Sequence, residues 1–195
     1  GLPLPGRAGE PGARRLARAL ERREAAVVRH PHQPAAHYAH VRALARVRRA
    51  GLGCRLDVQL ADLLERVQVA VERAPRLRGR ALSDPLLEEL RGTALFQRWR
   101  GRSIAASLHR IRWHGVRHAD RHDYIRFRAD GTVRYRHPLL PGGGGTYRVE
   151  GERVIVRAGQ VETALSLELR HGRATLRRTA DGFFVASDVP EECAL

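Results

Sequence analysis

The sequence has no lysine, no asparagine and no methionine, only two cysteines, and an aromatic content of 5%. Each absence removes something. Without lysine there is no phosphate loop of the type whose lysine reaches the phosphates, so the run "PGGGG" (141–145) is expected to be a flexible hairpin loop. With so few aromatics, any core must be built mainly from Leu, Val and Ala. Two cysteines, Cys54 and Cys193, cannot form a disulfide framework and have no metal-type partner spacing. They are read as two free thiols in a reducing compartment, which places the protein inside the cell, in the cytoplasm or in an organelle if a transit peptide was removed. No apolar run is long enough to span a membrane as a helix, so no membrane partner is expected.

What the chain has in excess is arginine. All 36 basic residues are Arg, against 21 acidic ones, for a formal net charge of +15 over 195 residues. Loss of Lys, Asn and Met together is the mark of a GC-rich coding sequence, which accounts for Arg in place of Lys. It does not account for the excess of basic over acidic residues. Such a charge fits a polyanionic partner. The hydrophobic content of 43% is that of an ordinary globular protein.

The first half is patterned for helices. Residues 1–12, "GLPLPGRAGEPG", read as a disordered lead-in, and 13–100 as a helical region. In "ARRLARALERREAAVVRH" the residues Leu16, Leu20 and Val27 share a face, and Pro31 and Pro34 end the segment. Tyr38, Val41, Leu44 and Ala45 form the next stripe. In "DVQLADLLERVQVAVERAP", Leu60, Leu64, Val67 and Val71 recur at helical spacing, Asp57 is the expected N-cap and Pro75 the stop. "SDPLLEELRG" offers Asp84 as a cap with Pro85 behind it, opening a short helix or one that continues loosely to Trp99.

After about residue 103 the period becomes two. In "DYIRFRADGTVRYRH", Ile125, Phe127, Val133 and Tyr135 alternate with Tyr124, Arg126, Arg128, Arg134 and Arg136 about an Asp130-Gly131 turn. The pattern repeats around Glu150-Gly151 and His171-Gly172, and "DGFFVAS" supplies a last strand. Residues 103–190 therefore read as an antiparallel β domain of six or seven strands, a meander that curls into a barrel or half-barrel or stays open. The apolar members face the core and the arginines point away. With Arg148 from the next strand, Tyr124, Arg126, Arg128, Arg134 and Arg136 make a candidate binding face. Two readings of it stay open: an ordinary solvated sheet face, or a basic surface with a stacking ring for nucleic acid.

No catalytic constellation stands out. There is no G-x-S-x-G, neither cysteine has a histidine beside it, and no paired carboxylates are evident, so the chain reads as non-catalytic and without a cofactor. His114, His118 and His122, spaced by four, would share one side of a helix or a strand, with Asp120 and Asp123 nearby, but no metal-binding motif is present and no metal site is assigned.

Two stretches resemble known families. "ALERREAAVVRHPHQPAAHYAHVRALARVRRAG" is similar to a tetratricopeptide unit, but only one unit is visible where a solenoid needs about three, so it is treated as a generic helical pair. Over roughly residues 66–178, the order "VERAPRLRGRALSD", "DYIRFRADGTV", "GTYRVEGERV", "LSLELRHGR" resembles the F-box-only proteins that carry a lipocalin-like β-region. Pro75, Arg76, Tyr124, Arg126, Phe127, Gly131, Gly145 and Tyr147 occupy comparable places, and Leu82 stands where that family usually has Tyr. The resemblance implies a substrate-receptor subunit of a cullin-type ubiquitin ligase, a binding adaptor with a protein partner.

The expected fold is thus α+β: an N-terminal helical region, then a C-terminal antiparallel β-meander, a lipocalin-like barrel or half-barrel. The expected function is that adaptor role, with a basic RNA- or ribosome-associated protein as the alternative and a lipocalin-like small-ligand binder as a further one.

Overall fold

The computed structural model describes residues 9–118 and 121–193, with His118 and Arg121 described by their backbone alone. The chain divides into two compact units, residues 1–90 with 192–195, and residues 91–191. The second unit is thus inserted in the sequence of the first, whose last residues return to it.

The first unit is helical. Helices α1 (Glu10–Arg29), α2 (Pro34–Arg49), α3 (Leu60–Arg73) and α4 (Leu77–Ser83) precede a 3-10 helix at Pro85–Leu90. The expected lead-in is shorter than 1–12: α1 already begins at Glu10, with Pro11 in its first turn, where a missing N–H is harmless, and residues 1–8 lie outside the described residues. Pro34 likewise opens α2. The apolar stripes meet in one core of Val41, Leu44, Val47, Leu63, Leu64 and Val67. Asp57 is not the N-cap of α3. It adopts a left-handed backbone (φ 51°) two residues too early, and α3 is capped by a reciprocal box between Gln59 and Asp62. Asp84 does cap, accepting the Leu86 N–H at 3.0 Å, and it also accepts the Tyr38 hydroxyl at 3.0 Å and pairs with Arg42 at 3.2 Å.

Cys54 and Cys193 are joined in a disulfide, with Cα atoms 5.1 Å apart, which corrects the expectation of two free thiols. The reducing compartment inferred from free thiols loses its ground. A separation of 139 residues hid the pairing; the returning C-terminal residues create it. Beside it, Glu192 accepts from Arg48 at 2.5 and 2.8 Å and from the Leu60 N–H at 3.0 Å, so the returning tail also helps to satisfy the start of α3.

The second unit holds helix α5 (Ala94–Trp99), a 3-10 helix at Ala105–Arg110 and eight antiparallel strands: β1 (Trp113–His118), β2 (Arg121–Phe127), β3 (Thr132–Arg136), β4 (Gly144–Glu150), β5 (Arg153–Ala158), β6 (Val161–Arg170), β7 (Arg173–Arg178) and β8 (Phe184–Ser187). Each strand pairs with the next, and β1 pairs with β8 through His114–Ser187 and Gly115–Ala186, so the meander closes into an up-and-down, lipocalin-like barrel. The short strand 184–187 is what completes the closure. Gly144 and Gly145 of the glycine run belong to β4, and only Pro141–Gly143 form the loop before it. Ile125, Phe127, Val133, Tyr135, Leu165 and Leu176 fill the barrel. Asp188 is buried just after β8. Its carboxylate accepts the N–H of Ala94, at the start of α5, and that of Ala174 in β7, both at 2.8 Å. Among the described residues no helix is long and apolar enough to cross a membrane.

Candidate functional site

The β2–β3 hairpin positions the candidate face. Its register pairs Tyr124 with Arg136, Ile125 with Tyr135, Arg126 with Arg134 and Phe127 with Val133. Because residues facing each other across strands share a side, Ile125, Tyr135, Phe127 and Val133 go into the core, and Tyr124, Arg126, Arg134 and Arg136 are exposed together outside. Arg128 follows at the end of β2, where its N–H donates to Thr132 O at 2.9 Å. The turn is fixed by Asp130, which accepts both the N–H and the hydroxyl of Thr132 and is thereby held below the usual carboxylate range. Gly131 supplies the positive φ (82°) that this turn demands.

Tyr124 sits between two cations. The Arg126 guanidinium carbon lies 5.7 Å and that of Arg136 6.0 Å from the ring centroid. Arg136 is anchored by a 2.7 Å bond to His122 O, with its Nε 3.9 Å from Asp123. Arg126 and Arg134 face one another directly across the strands, an arrangement of like charges that destabilises a sheet. Neither they nor Arg128 has an ion pair among the described residues.

Arg148 is not part of this group. It lies on β4 opposite Ile155 and is engaged by Glu150 at 2.8 Å and Glu162 at 2.7 Å, bonds that raise its own pKa and lower that of Glu162. Other barrel arginines are paired as well: Arg170 and Arg177 with Glu168, and Arg178 with Asp181. Arg153, Arg157 and Arg173 also have no ion pair among the described residues, so what sets the hairpin apart is that two of its unpaired arginines face one another across the strands beside an exposed tyrosine.

The three histidines do not share one side by simple alternation. A bulge between His114 and Arg117 shifts the register, so that His114 is opposite Tyr124 but His118 is opposite Arg121. Gly115 permits the bulge, since a Cβ there would lie 2.5 Å from the Asp123 carbonyl carbon. Among the described residues no three metal-ligating side chains converge; Asp120 lies outside them. A surface concavity lined by Arg98, Arg102, Ile104, Glu152, Leu167 and Leu169 carries both signs of charge and no convergent polar set.

Sequence reading had singled out neither Asp188 nor the Arg48–Glu192 pair. Both bridge positions far apart in the chain, and no local pattern announces them. The Gln59-x-x-Asp62 spacing, by contrast, is a legible cap signal that Asp57 had displaced. No protein-family model matches the sequence, and neither a curated protein nor a solved structure is significantly similar to it.

Proposed function

We propose that the protein is a non-catalytic RNA-binding protein that holds a single strand against the outer face of β2 and β3. The observation that carries this reading is the opposed pair Arg126 and Arg134, which has no carboxylate and flanks an exposed tyrosine. A solvated sheet face of the ordinary kind intersperses charges of both signs, as Arg148, Glu150 and Glu162 do on β4 to β6. On the hairpin the like-charge cost is left unrelieved, and an anion supplied from outside relieves it. Tyr124 then gives a base a π-face, with Arg126 and Arg136 beside it for the flanking phosphates.

The substrate-receptor reading rests on the family resemblance and gives these arginines no task; it places a protein partner on the helical unit. A small-ligand carrier has less support, because Ile125, Tyr135, Leu165 and Leu176 occupy the barrel interior. Fluorescence anisotropy of a labelled single-stranded RNA, at low and near-physiological salt, separates the first two. The RNA reading expects micromolar or tighter binding that Arg126→Gln with Arg134→Gln abolishes and Arg148→Gln leaves unchanged. Binding indifferent to the hairpin pair, or absent near physiological salt, refutes it and returns attention to a protein partner.

A further inference from the structure

Helix α1 carries a row of arginines that have no ion pair among the described residues. At about 100° per residue, Arg14, Arg18, Arg29, Arg22 and Arg15 fall within about 100° of arc, while Leu16, Leu20 and Val27 lie on the opposite side. The apolar side is half-buried and the arginines are exposed. Glu21 and Glu24 fall outside the arc. Arg14, Arg15, Arg18 and Arg22 line one surface concavity together with Glu10 and Pro11. The one carboxylate in that lining is already taken: Arg55 binds both oxygens of Glu10 at 2.9 Å. Among the described residues none of these four arginines has an ion pair. Like charges at i, i+4 weaken a helix, so the row Arg14, Arg18, Arg22 is a stability cost that a structural role does not explain. The positive end of the helix dipole adds to the same field.

We infer that the outward face of α1 is a second RNA-contact surface, one that binds phosphates without reading bases. This rests on the RNA reading of the β2–β3 face and extends it to the helical unit. The row from Arg14 to Arg22 rises about 12 Å, long enough to meet consecutive phosphates of one strand. No aromatic side chain accompanies the arginines in this concavity, so it offers charge and no stacking platform. The match is one of charge complementarity, and the occupant, an RNA phosphate backbone, follows from the RNA reading of the hairpin, with an acidic polypeptide as the competing outcome of the test.

The test uses the full chain and the dependence of RNA affinity on salt. Each phosphate contact on a single strand contributes about 0.7 to the slope of log K against log salt. The triple variant Arg14→Gln, Arg18→Gln, Arg22→Gln should reduce the slope by about 2, by the same rule. The charge-conserving variant Arg14→Lys, Arg18→Lys, Arg22→Lys should restore it, and the helix content measured by circular dichroism should not change in either. A slope unaltered in the glutamine variant, with binding still lost in the Arg126/Arg134 variant, overturns the α1 surface and leaves the hairpin reading intact. Poly-glutamate bound by the wild type and lost in the α1 variant, with the RNA slope unaltered, overturns it in favour of an acidic polypeptide. A wild type that binds no RNA at either salt overturns both, and is seen before any variant is made.

Discussion

Asp188 lies almost wholly out of solvent (4% exposed), and its carboxylate oxygens each accept one backbone N–H, from Ala94 and from Ala174. Burial opposes the charged form more than these bonds favour it, so the pKa is pushed up to about 6 from an ordinary 3.8. A raised carboxyl pKa means that the folded protein binds the proton more tightly than the unfolded chain. The contribution is therefore fully present below the unfolded pKa and is lost as pH rises through about 6. Between pH 7 and about 4.5 it amounts to about 2 kcal/mol in favour of the acid side, by linkage. Asp188→Ala removes that titration and orphans two buried donors, at about 1–3 kcal/mol each. The variant should be less stable than the wild type by about 4 kcal/mol near pH 4.5, and by about 2 kcal/mol at pH 7, because there the wild type itself carries the cost of a buried charge. At about 2–4 °C per kcal/mol for a chain of this size, the gap in Tm at neutral pH is roughly 4–8 °C. Urea melts of both proteins at the two pH values, followed by the fluorescence of Trp99 and Trp113, measure the free-energy gap, and thermal melts measure the gap in Tm. A gap that narrows on acidification would refute the reasoning, since it would mean that Asp188 is held as a stabilised carboxylate.

The disulfide predicts that folded, air-oxidised protein shows no titratable thiol until it is reduced, and that Cys193→Ser with Cys54→Ser destabilises the helical unit by about 2–5 kcal/mol; two reactive thiols in the oxidised protein would remove the link between the tail and Cys54. Gly115→Ala forces a methyl against the Asp123 backbone and should cost about 2 kcal/mol or more, read as a lower urea midpoint; a neutral effect would mean that the β1 bulge relaxes freely.

Much of the fold was legible because it is written in short periods. The alternation of Ile125, Phe127, Val133 and Tyr135 about Asp130-Gly131 placed those four side chains inside and the arginines outside, as the register shows. The spacing of Leu60, Leu64, Val67 and Val71 located α3, and all four are buried. What stayed hidden depends on distance along the chain. The closure of the barrel needs β1 to meet β8, some 70 residues on, through a strand interrupted by a bulge at Gly115. The disulfide joins residues 139 apart. The candidate site divides in the same way. The grouping of Tyr124, Arg126, Arg134 and Arg136 is local and was visible in the alternation. The removal of Arg148 from it depends on Glu162, two strands further along, and no period in the sequence encodes that pair.

The central claim is that a single strand lies on the outer face of β2 and β3. Photo-crosslinking a 4-thiouridine-labelled RNA to the intact protein, followed by mass spectrometry of the crosslinked peptides, tests it most directly. The account predicts a crosslinked peptide within residues 121–136, centred on Tyr124 and abolished by Arg126→Gln with Arg134→Gln. Crosslinks found only on β4 to β8, or a Tyr124 peptide that persists when both arginines are neutral, would contradict it.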